Sequence, residues 1–154
     1  MPGPVASKPT LGMERGTELL PWKWAENQLV SCRNYWVVTT RRNGFPQARP
    51  VWGVWFEGLL YLSIGHGGVQ RATKRSDGNV DITIHVDSAV DVLIVEGTAE
   101  RTNDGERRVR AVAVYNEKYG YGLEDDWLNY LVRPLVVYGW RDEDVKTSTK
   151  WTFD

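Results

Sequence analysis

The stretch Arg49-Pro50-Val51-Trp52-Gly53-Val54-Trp55-Phe56-Glu57-Gly58-Leu59-Leu60-Tyr61-Leu62-Ser63-Ile64 decides the fold. β-Branched and aromatic residues crowd both sides of Glu57-Gly58, a pair suited to a tight turn, so the stretch reads as two strands, Pro46 to Phe56 and Leu59 to Ile64, closed into a hairpin. Upstream, Tyr35 to Thr40 has the same composition and is divided from the first of these strands by Asn43-Gly44, a second hairpin signal. Downstream, strand character resumes over Val80 to Val86, Val90 to Arg101, Pro134 to Trp140 and Lys146 to Phe153. Two amphipathic helices flank these strands. One follows Pro21, with Trp22, Ala25, Leu29 and Cys32 at helical spacing, and the other covers Asp104 to Tyr119 and ends at Gly120 and Gly122. A shorter basic helix is predicted over Val69 to Arg75. About seven strands joined mostly by hairpins, with helices at the periphery, make a mainly β barrel or sandwich. A doubly wound sheet is excluded, because strands do not alternate with helices and no GxGxxG turn is present.

The chain has 154 residues, enough for one core, and its reading divides it into a mobile arm at 1–18 and one domain at 19–154. The arm mixes Pro2, Pro4, Pro9, Gly3, Gly12 and Gly16 without periodicity. Lys and Arg total 19 against 20 Asp and Glu, so no global field gathers nucleic acid or anionic lipid, and any anion site is local. A single cysteine, Cys32, leaves no internal disulfide and no cysteine cluster for zinc, which fits a reducing cytoplasm. No segment approaches the roughly 20 apolar residues of a membrane span, and the opening residues lack the apolar centre of a signal peptide. Eight tryptophans and seven tyrosines against three phenylalanines bias the aromatic content toward rings with a polar handle, suited to half-wet surfaces as well as to a small core.

Protein-only catalysis finds little here, because nucleophile and base pairs draw on His and Cys and the chain holds only His66, His85 and Cys32. His85 alternates with Ile84 and Val86 in a strand, where a structural imidazole is the ordinary outcome. Two isolated histidines without HxxxH or HExxH spacing cannot build the familiar zinc sites. One constellation points to an anion: Ser63, Gly65-His66-Gly67-Gly68, then Gln70, Arg71, Lys74 and Arg75. Glycines let a backbone approach a ligand, helix N-terminal amides favour negative charge, and Arg or Lys adds charged hydrogen bonds. A Gly-rich turn ahead of a solvated basic helix has the same pattern, and spacing alone leaves both open.

The run Arg49-Pro50-Val51-Trp52-Gly53-Val54-Trp55, followed by Leu60-Tyr61-Leu62-Ser63 and a basic segment, resembles the flavin/deazaflavin oxidoreductases of the pyridoxamine-phosphate-oxidase-like superfamily. Leu20-Pro21-Trp22, Tyr35-Trp36, Val95-Glu96-Gly97-Thr98-Ala99-Glu100, Glu117-Lys118-Tyr119-Gly120, Arg133-Pro134 and Lys150-Trp151-Thr152-Phe153 agree in order. The resemblance implies a split β-barrel that dimerises and holds a tricyclic ring in a groove at the interface. By position it places Pro50, Val51 and Trp52 along the ring, sets Ser63, Gln70, Arg71 and Lys74 toward the cofactor phosphate, and has Trp151 close the groove, while Gly65 of the glycine loop is counted with the cofactor-binding residues. The phosphate segment departs from the commonest pattern, with Val69-Gln70 standing before Arg71.

The Pro-Val-Trp-Gly-Val-Trp run and the Trp-x-Phe ending are most similar to the B-type, deazaflavin-binding branch. The expected function is therefore hydride transfer from reduced coenzyme F-420 to a conjugated small-molecule acceptor, with FMN as the alternative cofactor. The alternative class is a non-catalytic carrier of haem, bilin or flavin. The expected partners are a small-molecule substrate and a second copy of the chain, with no nucleic acid and no membrane.

Overall fold

The computed structural model describes residues 3–10, 16–65, 79–102, 105–124 and 127–154. In chain order these form β1 (Val5–Ser7), α1 (Trp22–Ser31), β2 (Tyr35–Thr40), β3 (Pro46–Phe56), β4 (Leu59–Ser63), β5 (Asn79–Val86), β6 (Val92–Arg101), α2 (Gly105–Tyr119), β7 (Tyr130–Trp140), a 3-10 turn (Val145–Thr147) and β8 (Thr149–Thr152). The expected Gly-rich turn from His66 onward and the basic segment carrying Gln70, Arg71 and Lys74 lie outside the described residues.

The strands run in the order β1-β8-β7-β4-β3-β2-β5-β6, and β6 returns to β7, so the six strands from β7 round to β6 close into a barrel. The hairpin read at Glu57-Gly58 is a two-residue turn. Phe56 faces Leu59, and both central residues have positive φ, 49° and 79°. That is the geometry whose twist matches the flanking strands.

Two strands change partner along their length. Pro46 to Val51 of β3 pair with β2, and Trp52 to Phe56 pair with β4. β7 pairs with β6 throughout, while its other edge meets β4 at Tyr130 to Val132 and β8 at Val136 to Gly139. The switch in β7 falls at a bulge, since Glu96 faces Val136 but Gly97 faces Pro134, leaving Leu135 unmatched. A Cβ on Gly97 would stand 2.2 Å from the Arg133 carbonyl oxygen, so the two backbones approach closely only because this residue is glycine.

The apolar run Leu59-Leu60-Tyr61-Leu62 does not alternate because β4 is buried on both faces. Leu60 and Leu62 join the larger core, which includes Leu20, Ala25 and Leu29 beside α1 together with Tyr35, Ile84, Leu93, Val95, Val132, Val137 and Trp151. Leu59 and Tyr61 join the smaller one, with Ala111, Val112 and Tyr115 of α2, Val54, Leu128 and Leu131.

Three expectations are revised. Within the segment read as an arm, Val5–Ser7 form a strand along β8, and Lys8 Nζ donates to the carbonyls of Lys146 and Ser148. β7 begins at Tyr130, ahead of Pro134, because this proline sits beside the bulge rather than at a strand start. The last strand is shortened by the 3-10 turn, where the Asp144 side chain accepts from the Lys146 amide.

Gly97→Ala is therefore expected to destabilise the domain by at least about 1–3 kcal/mol through overpacking against backbone. Gly122→Ala, whose added Cβ meets nothing within 4 Å, is expected to unfold at the wild-type urea midpoint.

Candidate functional site

Pro50, Val51 and Trp52 lie where β3 passes from β2 to β4, and Ser63 faces Trp52 across the β3–β4 ladder. Pro50 and Gly65 are exposed, and Val51, Trp52 and Ser63 are partly so. These five residues of the expected site share one end of the hairpin. Trp151 does not join them. It is 0 % exposed and packs against Trp22 and Trp24, at ring-centroid distances of 5.7 and 6.3 Å. The expectation that Trp151 closes a groove is corrected to a core role, because a side chain with no accessible surface cannot form a wall for a ligand. Trp55 is structural too, being buried with its Nε1 donating to Glu26 Oε1 at 3.2 Å.

The Trp52 ring is held by residues to which the sequence reading gave no site role. It stacks on Tyr119 with centroids 4.4 Å apart and an interplanar angle of 4°, while the Arg33 guanidinium lies 5.1 Å from its centroid. Tyr119 is fixed in turn by its hydroxyl, which accepts the Gly53 amide at 3.1 Å and lies 2.7 Å from the Arg33 carbonyl and 3.0 Å from that of Gly53. Burial, the largest cause, pushes the Tyr119 phenol up to about 12, so it is protonated at neutral pH and can donate to one of these carbonyls. Tyr115 and Tyr119, four residues apart on α2, have rings 4.8 Å apart. That i, i+4 aromatic pair ahead of Gly120 was the available signal in the sequence.

Past the helix the chain turns at Gly120, where φ is 62°. The Asn116 side chain then pins Leu123, accepting its amide at 2.8 Å and donating to its carbonyl at 3.2 Å. Asn129 does the same for Ile64, at 3.1 and 2.8 Å, fixing the chain as it leaves β4 toward Gly65. Between these segments opens a cavity of about 560 Å³ lined by Trp52, Ser63, Tyr115, Tyr121, Gly122, Leu123, Glu124 and Trp127.

The cavity offers planar aromatic walls and two hydroxyl groups, those of Ser63 and Tyr115. Burial pushes the Tyr115 phenol up, which favours the neutral, hydrogen-bonding form. Among the described residues no His or Cys lines it, and no group of three or more His, Cys, Asp or Glu could hold a metal ion. Such walls suit a flat conjugated molecule bound by stacking and oriented by a few hydrogen bonds, and the volume falls in the range of roughly 300–1,000 Å³ usual for cofactor pockets.

No protein-family model matches the sequence, and no curated protein matches it significantly. Solved structures do match the fold. A Clostridium acetobutylicum protein related to general stress protein 26, of the pyridoxinephosphate oxidase family, superposes with a TM-score of 0.61 at 16 % identity over 88 % of this chain and 98 % of its own. A FAD-binding protein from Mesorhizobium loti gives 0.59 at 14 % identity over 99 % and 100 %. An F-420 reductase gives 0.51 at 18 % identity over 73 % and 94 %. At these identities the likeness establishes the split β-barrel fold, as the sequence reading expected.

Tyr119→Phe is expected to leave the Gly53 amide without this acceptor, costing about 1–3 kcal/mol in urea unfolding. Loss of the Tyr119 hydroxyl contacts should also loosen the Trp52 stack, reducing the near-ultraviolet circular dichroism of the folded protein.

Proposed function

We propose that this chain is a dimeric oxidoreductase that binds a tricyclic redox cofactor beside Trp52 and passes a hydride to a conjugated small-molecule acceptor, with coenzyme F-420 preferred over FMN. The observation that carries this reading is the cavity itself. It lies against Trp52 and Ser63, residues that the family resemblance assigns to the cofactor, and its aromatic walls and two hydroxyl groups suit a flat ring better than a hydrolytic substrate. Bound there, a deazaflavin supplies two-electron hydride chemistry that the side chains lack.

In this reading the residues bind and orient. Pro50, Val51 and Trp52 present strand backbone and one indole face, Ser63 turns its hydroxyl toward the phosphate end, and Tyr121 and Trp127 exclude water. Gly65, Gln70, Arg71 and Lys74 are proposed, from the sequence pattern, to receive the cofactor phosphate. The second subunit is proposed to cover the outer face of the β2–β3 hairpin, where Trp36 and Phe45 are 42 % and 63 % exposed. FMN remains the alternative because the fold neighbours include a protein of the pyridoxinephosphate oxidase family. A carrier of haem, bilin or flavin is the non-catalytic alternative.

Anaerobic assays with reduced F-420 or reduced FMN and a panel of enones, quinones and bilins test the proposal. Oxidation of F-420 faster than without protein is expected. Turnover with FMN alone would transfer the assignment to that cofactor, and binding without turnover across the panel would leave a carrier. Arg71→Ala and Lys74→Ala are each expected to weaken cofactor binding roughly tenfold to a hundredfold by removing a charged hydrogen bond. Unchanged titrations for both would make the segment a solvated face. Sedimentation showing a monomer at micromolar concentration would remove the dimer.

A further inference from the structure

Lys118, in the last turn of α2, does not line the cavity, yet it reaches the backbone that positions the cavity wall. Its Nζ donates to the Gly53 carbonyl at 3.1 Å and to the Tyr35 hydroxyl at 2.9 Å. It also lies 4.7 Å from the Tyr35 ring centroid and 5.0 Å from that of Tyr119. Tyr35 is fully buried on β2 and directs its own hydroxyl to the Leu29 carbonyl of α1. One half-buried ammonium therefore ties α2 to β2 and to β3, and the β3 residue it holds is the immediate neighbour of Trp52. Gly53 has little freedom to shift, since a Cβ there would lie 2.6 Å from the Tyr61 carbonyl oxygen.

Among the described residues no carboxylate forms an ion pair with Lys118. The groups around it are the Cys32 thiol, Tyr35, Tyr119 and, farther out, Arg33 and Asp87. Removing a cation from water without a paired anion opposes folding. An uncharged side chain of similar length would fill the same space without that cost, so stability does not explain the amine.

We propose that Lys118 is a positioning residue for the cofactor cavity, clamping Gly53 and Tyr35 so that Trp52 and Tyr119 stay stacked as its wall. This rests on reading the cavity as the cofactor site. Burial, the largest cause, draws the Lys118 pKa down to about 8 from 10.5. Cys32, Tyr35 and Tyr119 are all shifted upward, chiefly by burial. Between pH 8 and 10.5 the folded state then holds fewer protons at Lys118 than the unfolded chain, so stability from this group rises with pH. The clamp weakens over the same range as the ammonium loses its charge. Cys32, Tyr35 and Tyr119, whose pKa values are raised, draw total stability the other way above pH 9, so it is the Lys118 contribution, read as wild type minus Lys118→Met, that should move opposite to cofactor affinity.

The test compares wild type with Lys118→Met from pH 6.5 to 9.5, using FMN and F-420 titrations, melting temperature, and the near-ultraviolet circular dichroism of the cofactor-free protein. At pH 7 the variant is expected to bind about tenfold more weakly, the loss of one charged hydrogen bond, while melting no lower than wild type. Wild-type affinity and aromatic dichroism should fall toward the variant's values above pH 8, and the variant's should stay flat. A variant with wild-type affinity and pH profile overturns the proposal. So does one that loses affinity and melting temperature together at every pH, which would make Lys118 a structural residue. If wild type binds neither cofactor, the cofactor reading fails, and the dichroism profile alone then decides whether the clamp exists.

Discussion

Closure of the barrel depends on how near the backbone of β6 comes to that of β7. At Gly97 the separation leaves no room for a side-chain carbon, and opposite it Leu135 is extruded as a bulge. The bulge bends β7 so that its far edge can leave β4 and take up β8. Without that bend β7 would continue beside β4, and β8 would have no edge to join. β8 carries Trp151 into the core and supplies Thr149, whose hydroxyl accepts the Leu20 amide just ahead of α1. The placement of α1 over the core thus follows from one contact between strands.

A second close approach, at Gly53, links this framework to the cavity. β3 changes partner between Val51 and Trp52, and a strand that changes partner leaves one edge unpaired on each side of the change. Trp52 stands at that change and is only partly buried, so its ring needs support from elsewhere. α2 supplies it through Tyr119 and Lys118, both of which contact the backbone of Gly53. The cavity wall is thereby joined to the core by hydrogen bonds to backbone, which fix an angle more tightly than apolar contact alone.

Most of the fold was legible because its signals are local. Glu57-Gly58 marks a two-residue turn by its residue types, Gly120 ends α2 with a positive φ, and the Tyr35 to Thr40 strand is marked by its β-branched and aromatic residues. What escaped the sequence depends on distant partners. β1 is three residues long and takes its identity from β8, some 145 residues away, so nothing in Val5-Ala6-Ser7 announces it. Pro134 reads as a strand start, and only the bulge explains its place within β7. Of the proposed site, Trp52 and Ser63 were named through the ordered resemblance. Lys118 and Tyr119 stood in a quoted motif without a site role, and Arg33 and Tyr115 were not singled out, because their roles lie in which distant rings and backbone atoms they meet. Trp151 was misplaced for the opposite reason: a Trp-x-Phe ending carries the same letters whether the indole faces a groove or the core.

The arrangement of polar groups bears on how such a site can work. The tyrosines around the cavity are held in their neutral forms by burial, and among the described residues no His or Cys that could drive acid–base or nucleophilic chemistry lines it. A site of this kind contributes orientation and exclusion of water more than proton transfer. Orientation requires rigidity, and rigidity here is obtained by burying hydrogen-bonded groups, including an ammonium that forms no ion pair among the described residues, beside the point where β3 changes partner. The expense of Lys118 to folding is then intelligible as a local sacrifice for a fixed ring, the pattern expected where a functional constraint overrides the rules that govern the rest of the fold.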